Sequence, residues 1–193
     1  MQITKEYLAE CDQNVTANFH NRKHVVGPYT VQLRVRTLQA FCASYSTILD
    51  IGSGGHMPVV LKATHACDLS TLALPHLQQL GWKGEFKIAS CDNLPYQDKQ
   101  FEAASCSEVI EHLPDLESVR KTFKEIDRVA KNWIITTPCA SKSGVRDRWN
   151  IEKTHKQFFT PQDLVDLAAP IKINTRVINE YDIKHIICTR ASS

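Results

Sequence analysis

Thr47-Ile48-Leu49 runs straight into Asp50-Ile51-Gly52-Ser53-Gly54-Gly55, and this junction constrains the fold more than any other stretch of the chain. A short apolar strand that ends on an acid and turns through glycine brings the backbone of an open α/β sheet up against a polar ligand. Glycine at 52 and 54 allows a tight turn and an approach that any Cβ would block. Asp50, closing the strand, is expected at the rim of the pocket.

Two more acids close candidate strands. Thr64-His65-Ala66-Cys67 leads into Asp68, and Phe86-Lys87-Ile88-Ala89-Ser90-Cys91 leads into Asp92. Carboxylates ending strands 1, 2 and 3 line the sheet edge at which doubly wound folds bind their ligands. The acid after a second strand accepts both hydroxyls of a ribose in dinucleotide folds. The third is placed to accept from an adenine amino group.

The run from Thr47 to Pro138 resembles the class I, Rossmann-like S-adenosylmethionine-dependent methyltransferases, in particular the small-molecule "type 11" group. The matching pieces are ILDIGSGG (48–55), CDLS (67–70), CDNLPYQDKQFE (91–102), SEVIEHL (107–113) and IITTP (134–138). The resemblance implies S-adenosyl-L-methionine as cofactor and methyl transfer to a small-molecule acceptor. It also implies a seven-stranded, mostly parallel, doubly wound α/β sheet in the order 3-2-1-4-5-7-6, ending in an antiparallel hairpin. Residue by residue, Gly52, Ser53, Gly54 and Gly55 would pass the methionine moiety with Asp50 near its ammonium group. Asp68 and Leu69 would hold the ribose. Asp92, with the backbone of Asn93 and Leu94, would meet the adenine edge. Ser107 and Glu108 would face the methionine end and the acceptor.

One departure concerns the first crossover. Asp50 and Asp68 are only 18 residues apart, His56 stands at the usual third glycine position, and Pro58 follows. Proline is tolerated in a first helical turn but not deeper. The first crossover helix is therefore expected to be a turn or two around 58–62. A weakened cofactor site, and with it an inactive cofactor-binding partner subunit, is the alternative that this shortening keeps open.

Elsewhere the pattern is β-α alternation. Val31, Leu33, Val35, Leu38 and Phe41 predict a helix over 30–43. A helix is expected from Leu72 to Leu80, stopped by Gly81. A further helix over 115–130 presents Leu116, Val119, Phe123, Ile126 and Val129 on one face. Strands are expected near 102–106 and 133–137, then a helix at 161–168 capped by Thr160. Two strands at 172–180 and 183–190 meet at Tyr181-Asp182.

The expected organisation is one methyltransferase domain over 1–193. Residues 1–29 form a lid or flexible segment carrying Phe19, His20, His24 and Tyr29. Residues 30–138 form the cofactor half, and 139–193 the substrate-side loop and hairpin. A net charge of +2 favours no nucleic-acid partner, and no apolar run reaches membrane-spanning length. Seven cysteines without paired C-x-x-C spacing read as reduced thiols in a cytoplasmic protein.

Methyl transfer needs a base only for a hydroxyl or protonated amine acceptor. The candidates are Glu108, Glu111, His112 and His155. Spacings of three and four place the first three on one face of a helical turn. The expectation is that no metal is bound. The same four residues nevertheless resemble the ligand set of metal-dependent RNA 3′-terminal ribose 2′-O-methyltransferases, an alternative function. In the loop 139–159, Trp149 is expected to stack on the acceptor, and Arg146 and Arg148 to meet an anionic group on it.

Overall fold

The computed structural model describes residues 4–22, 33–145, 154–180 and 183–191. Its centre is a seven-stranded sheet in the order β3-β2-β1-β4-β5-β7-β6. The strands are β1 (Ile48–Ile51), β2 (His65–Asp68), β3 (Glu85–Ile88), β4 (Phe101–Ser107), β5 (Ala130–Pro138), β6 (Ile173–Glu180) and β7 (Ile183–Arg190). The first five run parallel, and β7 lies antiparallel to both β5 and β6. This is the order that the resemblance implies.

Side chains alternate across the sheet, and each face buries a separate core. Leu49, Ile51, Ala104, Cys106 and Ile135 pack on one side with α5 (Leu116–Val129) and α6 (Pro161–Ala168). Ile48, Ala103, Ile134 and Ile187 pack on the other with α2 (Leu33–Cys42) and α3 (Met57–Leu61). Burial on both faces explains why Ile48, Leu49 and Ile51 of β1 and Ala103, Ala104 and Cys106 of β4 show no simple alternation of apolar and polar residues.

Local chemistry sets the helix ends. Pro58 sits in the first turn of α3, and Lys62 closes that helix in the left-handed region, so the first crossover is the short turn expected. Asp115 caps α5 by accepting from the Ser118 amide. Thr160 and Asp163 form a reciprocal capping box on α6. After α4 (Ala73–Gln79), Gly81 turns the chain at φ +81.

Two helix faces differ from the sequence expectation. In α2 the buried residues are Arg34, Leu38 and Cys42, while Leu33 is exposed. In α5, Leu116 lies 48% exposed, and the inward face is Val119, Phe123, Ile126 and Val129 with Ser118 and Thr122. The first helix, α1 (Lys5–Arg22), was not foreseen as a helix. Phe19, His20, His24 and Tyr29 lie outside the residues whose side chains are described.

Candidate active site

The carboxyl ends of β1, β2 and β4 open onto one cleft, lined on its far side by α1. Gly52, Gly54, Asp68 and Leu69 form its floor, Ala89 and Cys91 one end, and Glu108, Val109, His112 and Leu113 the other. Tyr7, Cys11, Asn14 and Val15, spaced as one stripe of α1, form the cover.

The floor is held from below. The Gly52 and Ser53 amides both donate to the Cys67 carbonyl, at 2.9 and 3.0 Å. The Ser53 hydroxyl donates to the Asp50 carbonyl at 2.8 Å. Gly52 has φ +74, and a Cβ there would stand 2.3 Å from Val109 Cγ2. At Gly54 a Cβ would stand 2.8 Å from Val15 Cγ2 and 3.4 Å from Asp68 Oδ2. Both glycines are therefore required by the close approach of β1, α1 and the residues after β4. Gly55 continues the bend, half-buried.

Asp50 is not at the rim. It shares a sheet face with Ile48 and pairs in register with Ser105, whose hydroxyl donates to its carboxylate. Only 2% exposed, it supports the turn from beneath, and burial pushes its carboxyl up to about 7.

Asp68 lies at the floor of the cleft. Its Oδ1 accepts the Ser70 amide at 2.7 Å. Burial pushes the carboxyl up to about 6, although amide donors at Ser70, Leu69 and Gly54 act in the opposite direction. The Ser70 hydroxyl in turn donates to Asp12 of α1, tying the cover to the loop after β2.

Asp92 is buried and accepts from the Ser90 hydroxyl. The neighbouring amides assigned to the adenine edge are already engaged within the protein. Asn93 N donates to Ser90 O at 3.1 Å, and Leu94 N to Glu125 Oε2 at 2.7 Å. Arg128 completes this clasp by donating to the Leu94 and Tyr96 carbonyls.

At the other end, Glu108 has φ +57 and follows β4 directly. Its Oε1 accepts from Thr136 Oγ1 at 3.0 Å, and the His185 Nδ1–H donates to the same carboxylate at 3.3 Å. Arg34 Nε lies 3.9 Å from Oε1, and its Nη1 donates to Ser107. Ser107 and Thr136 share a further hydrogen bond at 3.0 Å. Burial alone would raise Glu108, but the charges of Arg34 and His185 hold it well below the usual carboxylate range. Arg34 and His185 are site residues that sequence reasoning missed. Neither belongs to a spacing motif, and each meets Glu108 only through the tertiary fold.

Glu108, Glu111 and His112 do not share a helix face. The positive φ at 108 and a 3₁₀ turn at Ile110–His112 separate Glu108 from the other two. Glu111 is 1% exposed; Thr137 Oγ1 donates to its Oε2 at 2.9 Å. Burial, with the nearby Glu108 charge, pushes its carboxyl well above the ordinary range. His112 Nδ1 donates to the Thr154 carbonyl at 3.3 Å. The rings of His112 and His155 meet edge to face at 4.7 Å. The structure thus brings Glu111, His112 and His155 together. Arg146, Arg148 and Trp149 lie outside the described residues.

Comparison with known proteins agrees with this architecture. The methyltransferase domain family matches residues 49–133. No curated protein sequence matches the chain. Among solved structures, a 1,6-didemethyltoxoflavin-N1-methyltransferase from Burkholderia thailandensis, with bound 1,6-didemethyltoxoflavin and S-adenosylhomocysteine, aligns at TM-score 0.68 and 16% identity. That alignment covers 100% of this chain and 92% of the other. An S-adenosylmethionine-dependent methyltransferase from Clostridium acetobutylicum aligns at TM-score 0.65 and 14% identity, covering 94% of this chain and 99% of the other. A possible histamine N-methyltransferase from Thermotoga maritima aligns at TM-score 0.59 and 17% identity, covering 90% and 100%. Residues 49–133 thus match the methyltransferase domain family, and the whole sheet shares its fold with these S-adenosylmethionine-dependent methyltransferase structures.

Proposed function

We propose that the chain transfers the methyl group of S-adenosyl-L-methionine to a small-molecule acceptor. The observation that carries this reading is the glycine cradle at 52 and 54, which shares one cleft with the Asp68 carboxylate and with Glu108 and His112. A Cβ at Gly52 would strike Val109 and one at Gly54 would strike Val15, so only bare backbone fits between these cleft-lining side chains, as a methionine moiety lying there would require.

Asp68 accepts the ribose hydroxyls, Leu69 lies beside the sugar, and Asp92 with the Cys91 wall takes the adenine end. Bound there, the cofactor supplies an electrophilic methyl on a sulfonium. Every other part of the reaction is positioning, since in-line displacement depends chiefly on holding the two partners aligned. Glu108, fixed by Arg34, Thr136 and His185, presents a rigid negative charge at the methyl end. It suits holding a cationic or hydroxyl-bearing group. As a base it is weak, because its carboxyl is held low.

The His112 Nδ1–H donates to the Thr154 carbonyl, so Nε2 is the ring atom that serves the acceptor, as a base or through a bound ion. We further read residues 1–29 as the cover of the cofactor and 139–193 as the acceptor side. Arg146, Arg148 and Trp149 contact an anionic acceptor in this reading. The cofactor reading does not extend to a four-ligand metal set on RNA, because Thr136, Arg34 and His185 already occupy Glu108.

Incubation with isotopically labelled S-adenosylmethionine and a panel of small hydroxyl, amine and carboxylate acceptors tests this function. A product one methyl group heavier, lost in Asp68→Ala, is expected. No labelled product from any acceptor class, with the cofactor bound, would contradict it.

A further inference from the structure

We propose that Glu111, His112 and His155 form a divalent-cation site at the acceptor end of the cleft. One donor atom from each of the three lies within 4.8 Å of the others. Donors at ~2.1 Å from an ion stand roughly 3.4 Å apart in a tetrahedral shell, so side-chain shifts of ~1 Å gather all three on one ion. Two imidazoles and one carboxylate suit Zn²⁺, Fe²⁺ or Mn²⁺ and leave coordination positions open.

The surroundings are built for ligation. Glu111 Oε2 is held by Thr137 Oγ1, while Oε1 is buried without a hydrogen-bond donor among the described residues. A buried carboxylate oxygen left in that state is costly, and a cation would satisfy it. Ligating histidines commonly donate their second nitrogen to a carbonyl, as His112 Nδ1 does to Thr154. The loop that carries His155 is fastened to Glu111 directly. The Lys156 and Gln157 amides donate to the Glu111 carbonyl at 2.8 and 3.0 Å.

The neighbouring charges leave room for an ion. The Lys156 amine pairs with Glu10 at 2.8 Å and lies over the Tyr7 ring, away from the carboxylate. Glu108 stays outside the set, because Thr136 and His185 occupy its oxygens. His112 lines the cleft next to Glu108 and Leu113, so the open positions face the acceptor space. There they would hold water or an acceptor oxygen. That last role rests on the methyl-transfer reading; the binding of the ion does not.

The test is titration of chelator-stripped protein with Mn²⁺, followed by electron paramagnetic resonance of the free ion and by calorimetry, with and without S-adenosylhomocysteine. One ion per chain is expected. Glu111→Gln and His155→Ala should each weaken binding about tenfold or more, as loss of a ligand does, and His65→Ala should leave it unchanged. Thermal melting without metal establishes that each variant is folded; His155 is half-exposed, so its removal spares the core. Absence of saturable binding to the folded wild type, or unchanged binding in both ligand variants, would overturn the site. Metal binding without S-adenosylhomocysteine binding would strike the cofactor reading alone. The reverse would strike the cation site alone.

Discussion

His185 Nδ1 lies 3.3 Å from the Glu108 carboxylate, joining β7 to the residue that follows β4. Arg34, 9% exposed at its side chain, adds its charge to the same group from α2. Removing that guanidinium as Arg34→Met leaves a largely buried carboxylate with weaker compensation, a change of about 3 kcal/mol in unfolding free energy at neutral pH. Glu108 is held below its ordinary 4.5, so its stabilising charge is present above that value and lost as pH falls through the lowered one. The Arg34→Met defect should therefore shrink in urea titrations near pH 4. A defect that stays constant with pH would deny the charge interaction.

Gly52→Ala and Gly81→Ala separate strain from collision. Both glycines have positive φ, but a Cβ at Gly81 meets nothing within 4 Å, while one at Gly52 meets Val109 at 2.3 Å. Left-handed strain alone is roughly 1–2 kcal/mol. Gly81→Ala should lose about that much and keep its affinity for S-adenosylhomocysteine. Gly52→Ala should lose more stability and its affinity as well. Equal affinities in the two variants would argue against the cradle.

Ionisation of Asp68 gives the proposed cofactor site a pH dependence. Its carboxyl is pushed up to about 6 by burial and by the Asp12 charge. Ribose hydroxyls donate to the carboxylate form, so affinity for S-adenosylhomocysteine should be level above about pH 7. Below about pH 6 it should fall roughly tenfold per unit. The linked stability has the opposite sign: the folded state retains this proton longer, so stability declines as pH rises from the unfolded value of 3.8 to about 6. Asp68→Asn should flatten both profiles.

The cover helix predicts a change in motion. Tyr7, Cys11, Asn14 and Val15 line the cleft, and α1 is held there by Lys156–Glu10 and Ser70–Asp12. Bound S-adenosylhomocysteine should slow amide exchange along residues 7–16, measured by mass spectrometry. Unchanged exchange there, at saturating ligand, would mean that α1 does not cover the cofactor.

Strand ends were legible in the sequence because they depend on neighbours in the chain. An apolar run, an acid and a turn are contiguous at 47–55 and 64–68, and the short α3 follows from the 18-residue span from Asp50 to Asp68 with Pro58 inside it, whereas β3 stops at Ile88, four residues before Asp92. What failed depends on distant groups. Hydropathy turned Leu33 and Val35 inward, but α2 buries Arg34, whose guanidinium reaches Ser107 and Glu108, more than 70 residues away. Asp50 looked like a rim residue until the register placed it beside Ser105. Helical spacing grouped Glu108 with Glu111 and His112, and the positive φ at 108 parts them. The amides of Asn93 and Leu94 looked available, yet Ser90 and Glu125 hold them.

The central claim is tested most directly by calorimetric titration of the purified chain with S-adenosylhomocysteine, beside Asp68→Ala. Saturable binding at one site per chain, weakened at least tenfold by the substitution, is the predicted result. A folded wild type that takes up no S-adenosylhomocysteine, or an Asp68→Ala variant that binds it equally well, would contradict the cofactor site described above.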